Sequence, residues 1–267
     1  MSFMSPGSVV WFEIGTTDPQ QVQDFYGPVL GWTFAVDPDS SVDGRTYIRI
    51  MAPEARWPMG AIQQGDTGGE VINLSVLSAD VFADTGQLTA LGAKVLVPPT
   101  RVGDVTVFAR FADPRGNTFS LFSQGASTHL ADRQKATEQH LEQTALAPRP
   151  GSTAGFQIAT TDLAVTRDFY TAAFGWRFEP RPAAPADHLV FTPGARWPAG
   201  ILRAEAADFA IPSILSADVT ATAEAALRRG GHVDQAPTTE ADGTVRACLT
   251  DPLGNRFGVH ALPGYAA

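Results

Sequence analysis

The chain has 267 residues, of which 44% are hydrophobic and 18% are charged, a composition typical of folded globular domains. Its formal net charge of −9 would repel a phosphate backbone, so nucleic acid is not an expected partner. Cys248 is the only cysteine, which excludes an intrachain disulfide, and no apolar run reaches the roughly 20 residues that cross a bilayer. Because the start shows neither a basic region nor an apolar secretion stretch, we expect a soluble cytoplasmic protein without membrane contact.

The second half of the chain repeats the first. Matching positions are Asp18 and Asp162, Phe25 and Phe169, Tyr26 and Tyr170, Trp32 and Trp176, and Asp113 and Asp251. From Ala79 and Ala217 onward the two copies align without a gap, at a constant offset (217 − 79). The repeat predicts two homologous domains at 1–124 and 152–267, joined by a linker at 125–151 in which 132–146 has helical propensity.

Each domain is predicted to contain the same order of elements twice. Val10, Phe12 and Ile14 share one face of an alternating stretch, which indicates a strand with one apolar side. Asp18 then has the character of an N-cap, and the helical spacing of apolar residues ends at Gly31. Strands at 45–51 and 60–63 follow, and the order resumes with a strand at 71–77, a helix at 80–91 and strands at 95–97, 105–111 and 118–122. The chain is thus predicted to form four βαβββ modules at 8–64, 70–124, 152–204 and 208–262.

Four such modules, with Phe-Tyr and Gly-Trp after the first strand and Asp-Pro-x-Gly-Asn before the last, resemble the vicinal oxygen chelate superfamily. That superfamily includes glyoxalase I, the bleomycin resistance proteins and the extradiol dioxygenases, and the tandem form resembles two-domain glyoxalase-like proteins often labelled hydroxylase. The resemblance implies an α+β fold in which two modules form a curved mixed sheet around a cup, with the helices outside. Members pair modules within a domain, or first with fourth and second with third, and the sequence leaves both pairings open.

In the metal-dependent members, His and Glu side chains of the first and last strands hold a divalent ion in the cup. The matching positions here are Trp11, Asn73, Gly155 and Ile211 on the first strands, Ser120 and Gly258 on the last strands, and Gln63 and Leu202 at the ends of the odd-numbered modules. None of these residues is a His or an acid, whereas a divalent ion needs several charged or imidazole donors. We therefore predict cups without a metal and without any other cofactor.

Strand alternation predicts which side chains face each cup. In the first domain these are Trp11, Glu13, Tyr47, Arg49, Asn73, Phe108, Arg110, Ser120 and Phe122, and in the second domain they include Gln157, Arg246 and His260. The first set describes an aromatic cavity with a few polar groups. Because the two sets differ at the contact positions, we expect one working cup and one structural or altered cup.

Glu13 is the candidate catalytic residue. A carboxylate on an apolar strand is partly desolvated, which raises its pKa and suits it to general-base work. The structural alternative is a glutamate paired with Arg49 or Arg110, since buried carboxylates are usually paired. Gln157 at the equivalent position cannot act as a base, and His260 is interpreted as a ligand-contacting or core-edge histidine.

Two classes of function follow from these features. The first is a protein similar to the bleomycin resistance type, which binds a small aromatic or hydrophobic metabolite or natural product in a metal-free cup. The second is a metal-independent glyoxalase-like enzyme of lyase, isomerase or hydroxylase type, with Glu13 as base and an arginine as oxyanion partner. A pure interaction scaffold is less favoured because the cups retain polar groups. The expected partner is a small molecule, and association into a homodimer is compatible with the sequence.

Overall fold

The computed structural model of the chain describes residues 5–38, 46–65, 71–102, 106–124, 149–182 and 184–263. Within these ranges, sixteen strands and four helices form two mixed eight-stranded sheets, and each sheet takes its strands from one half of the chain. The predicted α+β fold with tandem domains is therefore confirmed. The predicted linker helix at 132–146 lies outside the described residues. Among the described helices, none has the length and apolar character needed to span a bilayer.

The two halves contain the same elements in the same order. The first half contains β1 (Val9–Thr16), α1 (Pro19–Leu30), β2 (Thr33–Val36), β3 (Tyr47–Met51), β4 (Gly60–Gln64), β5 (Val71–Leu77), α2 (Val81–Ala90), β6 (Lys94–Val102), β7 (Thr106–Ala112) and β8 (Thr118–Gln124). The second half contains β9 (Thr153–Thr160), α3 (Leu163–Phe174), β10 (Arg177–Arg181), β11 (Ala184–Phe191), β12 (Gly200–Ala204), β13 (Phe209–Leu215), α4 (Val219–Arg228), β14 (His232–Thr239), β15 (Val245–Thr250) and β16 (Arg256–Ala261).

The strand order resolves how the modules pair. The first sheet has the order β2-β3-β4-β1-β5-β8-β7-β6, and the second has β10-β11-β12-β9-β13-β16-β15-β14. In both sheets a central antiparallel pair, β1 with β5 or β9 with β13, joins the two modules of one half. Modules therefore pair within each half to build the sheets.

Alternation along the strands decides which face of each sheet is covered. On β1, Phe12 and Ile14 are fully buried in the hydrophobic core, whereas Trp11 and Glu13 lie on the opposite face and stay partly exposed. The helix α1 begins after Asp18, whose carboxylate accepts the N–H of Gln21 at 3.0 Å. Since the helices cover only the apolar face, the other face of each sheet is left to form a cup.

Two kinds of edge strand differ from the sequence-based expectation. The alternation pattern does not predict β2 or β10, because most of their side chains are exposed and neither strand has a continuous apolar face. The edge strand β6 runs on through Pro98 and Pro99 to Val102, beyond the predicted 95–97. Prolines are tolerated there because an edge strand pairs on one side only, and the pairing with β7 shifts register between Val97 and Thr100.

The helices α1 and α3 connect the two halves. The ring of Tyr26 on α1 lies 5.2 Å from the ring of Phe257 in the second half. Tyr170 on α3 donates a hydrogen bond to Asp113 in the first half at 3.0 Å. Tyr26 lies in the matching place, where its hydroxyl interacts with the carboxyl group of Asp251 in the second half. The repeated Phe-Tyr and Asp-Pro motifs thus serve the contact between the halves.

The packing between the halves is more complete at the end of α3 than at the end of α1. At the end of α3, the ring of Phe174 packs 5.8 Å from Phe119 and 5.7 Å from Trp176. Leu30 is the matching residue at the end of α1, and it lines a shallow cavity of about 280 Å³ between α1 and α4. The smaller side chain leaves this side of the interface less completely packed.

Candidate ligand-binding cups

The first cup, the face of the first sheet opposite its helices, brings Glu13, Tyr47 and Arg110 together. The Tyr47 hydroxyl accepts the Trp11 Nε1–H at 3.2 Å and donates to Glu13 Oε1 at 3.0 Å. The Arg110 Nη2 lies 3.7 Å from Glu13 Oε2. Burial raises the pKa of Glu13, and Arg110 and the Tyr47 hydrogen bond only partly offset this effect. Of the two arginines that the sequence offers as partners, the structure pairs Arg110 with Glu13.

Arg110 also reaches residues on more distant strands. Its Nη2 donates to Gln63 Oε1 at 3.4 Å, although three strands lie between β4 and β7. With its amide oxygen turned towards the guanidinium, Asn73 accepts from Nε at 3.2 Å and from Nη2 at 3.3 Å, while its nitrogen donates to Thr118 Oγ1 at 2.9 Å. Because adjacent strands are about 4.8 Å apart, a contact over this span requires a strongly curved sheet. A permanent cation therefore lies in the middle of the first cup.

Aromatic side chains surround this polar centre. Phe108 and Phe122 are directly opposite each other on β7 and β8, and both are partly exposed, as Trp11 is. Ser120 is 2% exposed, and its hydroxyl has no hydrogen-bond partner within the described part of the chain. Arg49 is bound to Asp37 Oδ2 at 2.6 Å, so its guanidinium is engaged outside the Glu13 network.

The first cup does not fit the divalent ion that the resemblance implies. Its four ligand positions supply an indole, two amides and a hydroxyl, and the amide oxygens of Gln63 and Asn73 face the Arg110 guanidinium. A guanidinium cannot ligate a cation, and its charge opposes one nearby. Across the described ranges, no group of three or more His, Cys, Asp or Glu side chains converges as a metal site.

The second cup fits such an ion no better, and one expected position needs correction. Gly155, Ile211 and Gly258 provide no side-chain donor atom. The choice of Leu202 was wrong by one residue, because Leu202 is fully buried in the core. The residue whose pairing with β9 matches that of Gln63 with β1 is Arg203, which is another cation.

The second cup is crossed by a group of ion pairs that we call the ionic clasp, formed by Arg181, Asp187, Arg203, Glu240 and Asp242. Arg181 Nη2 binds Glu240 Oε2 at 2.5 Å and Asp242 Oδ2 at 2.6 Å, with only 4% of its side chain exposed. Arg203 Nε lies 3.2 Å from Asp187 Oδ2. Arg181 ends β10 and Glu240 follows β14, and these strands are the opposite edges of the sheet. The clasp therefore connects the two edges of the second sheet.

The charges of the clasp shift the pKa values of its acids. Burial raises the pKa of Asp187, although Arg203 and Arg181 oppose the rise. For Glu240, burial acts in the same direction, but hydrogen bonds from Arg181 and Arg246 outweigh it and lower the pKa. The sequence reasoning did not find Arg181, Arg203 or Glu240. The sequence does contain one signal, the alignment of the two halves at Ala55 and Ala195, which places Arg203 at the position of Gln63 and Asp187 at that of Tyr47.

His260 lies on the floor of the second cup as a neutral side chain. Its Nδ1 is 2.8 Å from the Ser213 Oγ, and 5% of the residue is exposed. Burial and the nearby Arg246 lower the pKa of His260 to about 4. Gln157 shares this floor, and its Nε2 is buried without a hydrogen-bond partner among the described residues. His260 is therefore uncharged near neutral pH.

The two cups place their charges at different positions. The residues that match Glu13 and Arg110 in strand register are Gln157 and Cys248, so the centre of the second cup carries no ion pair. Burial raises the pKa of the Cys248 thiol to about 12, which keeps it protonated. The acid–base pair of the first cup has no counterpart in the second.

A family model described as a glyoxalase-like domain matches residues 11–122 and 155–260, which is most of the chain. The anthracycline biosynthesis protein DnrV of Streptomyces peucetius is 27% identical, with 100% of this chain and 98% of that protein aligned. The putative glyoxylase CFP32 of Mycobacterium tuberculosis is 24% identical, over 95% of this chain and 94% of that protein.

Solved structures show the same fold. A Mn(II)-bound glyoxalase from Novosphingobium aromaticivorans has a TM-score of 0.58 at 16% identity, covering 96% of this chain and 82% of that one. The 2,3-dioxygenase LapB from Pseudomonas sp. KL28 has a TM-score of 0.55 at 16% identity, covering 94% and 90% of the two chains. Identities this low establish the architecture and leave the activity open. On the family match, the chain is a member of the glyoxalase-like family, with one such domain in each half.

Proposed function

We propose that the first cup binds a small aromatic or hydrophobic molecule that carries polar oxygen atoms, and that it does so without a metal ion. The observation that supports this proposal is the arrangement of the partly exposed Trp11, Phe108 and Phe122 around the Glu13–Arg110 pair. Aromatic rings supply a stacking surface, and a few convergent polar groups orient the ligand. Ser120 adds a buried hydroxyl that lacks a partner in the described structure.

The relatives are compatible with this class of ligand. The description of DnrV connects that protein with the biosynthesis of an anthracycline, and a polycyclic aromatic metabolite of this kind would suit the aromatic side chains of the first cup. The metal-free state is supported by the donor set, in which Arg110 faces the amides that would otherwise be open to a cation. These observations favour binding by stacking and hydrogen bonds.

The test is a thermal-shift screen of aromatic metabolites, followed by calorimetric titration of each molecule that raises the melting temperature. Phe108→Ala should weaken binding about tenfold, since it removes one stacking surface. Phe82→Ala is the matched control, because Phe82 lies on the outer helix α2 with 52% of the residue exposed. Equal losses in both variants would contradict the proposal, as would stoichiometric Ni, Zn, Mn or Fe in the purified protein.

A second candidate function is metal-independent catalysis with Glu13 as the base. Its support is that Tyr47 donates to Oε1 while Oε2 makes no hydrogen bond to a described residue, and that burial raises the pKa of the carboxyl group. Oε2 would take a proton from a carbon next to a ligand carbonyl, and the C–H electron pair would shift to the carbonyl oxygen beside Arg110. Returning that proton to another atom of the same molecule would complete an isomerisation.

Glu13→Gln separates the two functions. The amide keeps the shape of the side chain but cannot accept the proton, so a base role predicts loss of turnover with little change in ligand affinity. The measurement is an NMR time course with each molecule found by the screen, run beside a calorimetric titration. Unchanged turnover in Glu13→Gln would remove Glu13 as the base.

A further inference from the structure

The second cup contains a polar cavity of about 330 Å³ between β12 and the edge strand β14. Its charged lining consists of Arg203, Glu205, Glu240 and Arg246, and Thr238 adds a hydroxyl. None of the described lining residues is aromatic. The cavity is therefore unsuited to the stacked ring that we propose for the first cup.

The charges around this cavity are already balanced. The two arginines and the two glutamates sum to no net charge. Glu240 is held by Arg246 at 2.8 Å, by Arg203 at 3.6 Å and by Arg181 at 2.5 Å, so its carboxylate has little capacity for a further cation. A ligand with a net charge would have to compete with these internal pairs, and the cost of separating buried ion pairs opposes that.

Side chains that line the cavity nevertheless have donors and acceptors that could form further hydrogen bonds. Arg246 uses only its Nε towards Glu240, and its terminal nitrogens make no hydrogen bond to a described residue. Among the described residues, the Glu205 carboxylate accepts one weak hydrogen bond, from Gln235 at 3.4 Å, and it lies 3.9 Å from the Nε of Arg203. The Thr238 hydroxyl donates to the carbonyl of Ala236 at 3.0 Å, which leaves its lone pairs free to accept. The walls thus offer donors and acceptors side by side.

We propose that this cavity binds a neutral polyhydroxylated molecule of about monosaccharide size. Each hydroxyl group both donates and accepts, so it can accept from Arg246 and donate to Glu205 without separating any ion pair. Hydrogen bonds to charged partners are the stronger kind, which suits recognition without an aromatic platform. The site is independent of the first cup and of the function proposed there.

The test uses the full chain and a panel of neutral monosaccharides, with saturation-transfer NMR to detect binding and titration calorimetry to measure it. Matched panels of α-amino acids, amino sugars and sugar phosphates report zwitterionic, cationic and anionic ligands. At least one neutral monosaccharide should bind, and its charged analogues should bind less tightly. Preference for any of the charged panels, or no binding of a neutral sugar at high millimolar concentration, would overturn the proposal.

Two variants locate the site. Glu205→Gln should weaken sugar binding about tenfold, the scale of one charge-assisted hydrogen bond. Thr238→Val should weaken it about threefold, since it removes a neutral hydrogen bond. Thr100→Val is the matched control, because Thr100 occupies the equivalent place on β6 and its hydroxyl makes the same local hydrogen bond, to the carbonyl of Pro98 at 2.8 Å. Binding that survives Glu205→Gln and Thr238→Val unchanged, or that Thr100→Val weakens equally, would place the sugar elsewhere and refute this site.

Discussion

The first and second cups share a backbone and differ in where they keep their charges. In the first, Glu13 and Arg110 meet near the centre of the sheet and aromatic side chains stand around them. In the second, the centre holds Gln157 and Cys248, and the ions connect the two edges of the sheet. The same curved sheet can therefore carry an ion pair at its centre or ion pairs that connect its edges, depending on which strands carry the charged residues.

The largest effect should come from breaking the ionic clasp. Arg181→Met would leave Glu240 and Asp187 buried with fewer partners, and we expect a loss of about 3 kcal/mol in the free energy of unfolding. Arg49→Met is the comparison in the first cup, where the arginine side chain is 46% exposed and the loss should be about 1 kcal/mol. Urea denaturation measures both, and equal losses would show that the clasp does not stabilise the second cup.

The next effect is a pH dependence that arises from His260 in the second cup. The pKa of His260 falls from 6.5 in the unfolded chain to about 4 in the fold. Between these values the unfolded state binds more protons, so the free energy of unfolding should rise with pH. From pH 4.5 to pH 7, His260 should account for about 2 kcal/mol of this rise.

His260→Gln removes that titration while keeping a side chain able to bond with Ser213. Urea denaturation of both proteins at the two pH values isolates the difference, because every other titrating group is shared. Phe122 occupies the matching position of the first cup and has no proton to exchange. An identical change with pH in His260→Gln and the natural chain would disprove the assignment.

A smaller effect tests the polar centre of the first cup. Tyr47→Phe removes the hydroxyl between Trp11 and Glu13, which should lower the free energy of unfolding by about 1 kcal/mol. Because that hydrogen bond lowers the pKa of Glu13, its loss should raise the pKa further. Carboxyl ¹³C NMR titration measures this shift, and a fall in the pKa of Glu13 would contradict the network.

The smallest expected effect concerns the helices behind the cups. Leu30→Phe gives α1 the residue that α3 has at Phe174, and it should fill part of the cavity beside α4. We expect the free energy of unfolding to increase by less than about 1 kcal/mol. Leu227→Phe is the control at an exposed position, with 53% of Leu227 accessible. Thermal unfolding that shows destabilisation by Leu30→Phe alone would mean that the interface is already fully packed.

Local patterns in the sequence predict much of the fold. The N-caps of the four described helices, Asp18, Asp80, Asp162 and Asp218, all accept backbone N–H groups. Gly31 and Gly175 end α1 and α3 in the left-handed conformation, with φ of 72° and 68°. The strand β1 can be predicted because its alternating sequence reflects burial of one face. The strand β2 is mostly exposed, so its sequence does not alternate in this way.

The long-range features could not be obtained from local patterns. The two halves are so similar that either pairing of modules satisfies the sequence, and the β1–β5 and β9–β13 ladders distinguish them. The prediction of Leu202 was displaced by one residue from Arg203. Because side chains alternate between the faces of a strand, this displacement was enough to select the core face instead of the cup face. The clasp joins Arg181 to Glu240 across 59 positions of the chain, and its geometry depends on the curvature of the whole sheet.

The helices α1 and α3 each contact the Asp-Pro turn of the other half. These contacts affect how the two halves of the chain can diverge in sequence. Two identical half-length polypeptides could exchange the same helices as a symmetric pair, but every substitution would then alter both of their cavities at once. Covalent fusion removes that constraint while keeping the contacts between the halves, such as the hydrogen bond from Tyr170 to Asp113. Once the two halves are joined, each can change on its own, so that one carries the Glu13–Arg110 pair and the other the ion pairs along its edges on the same backbone.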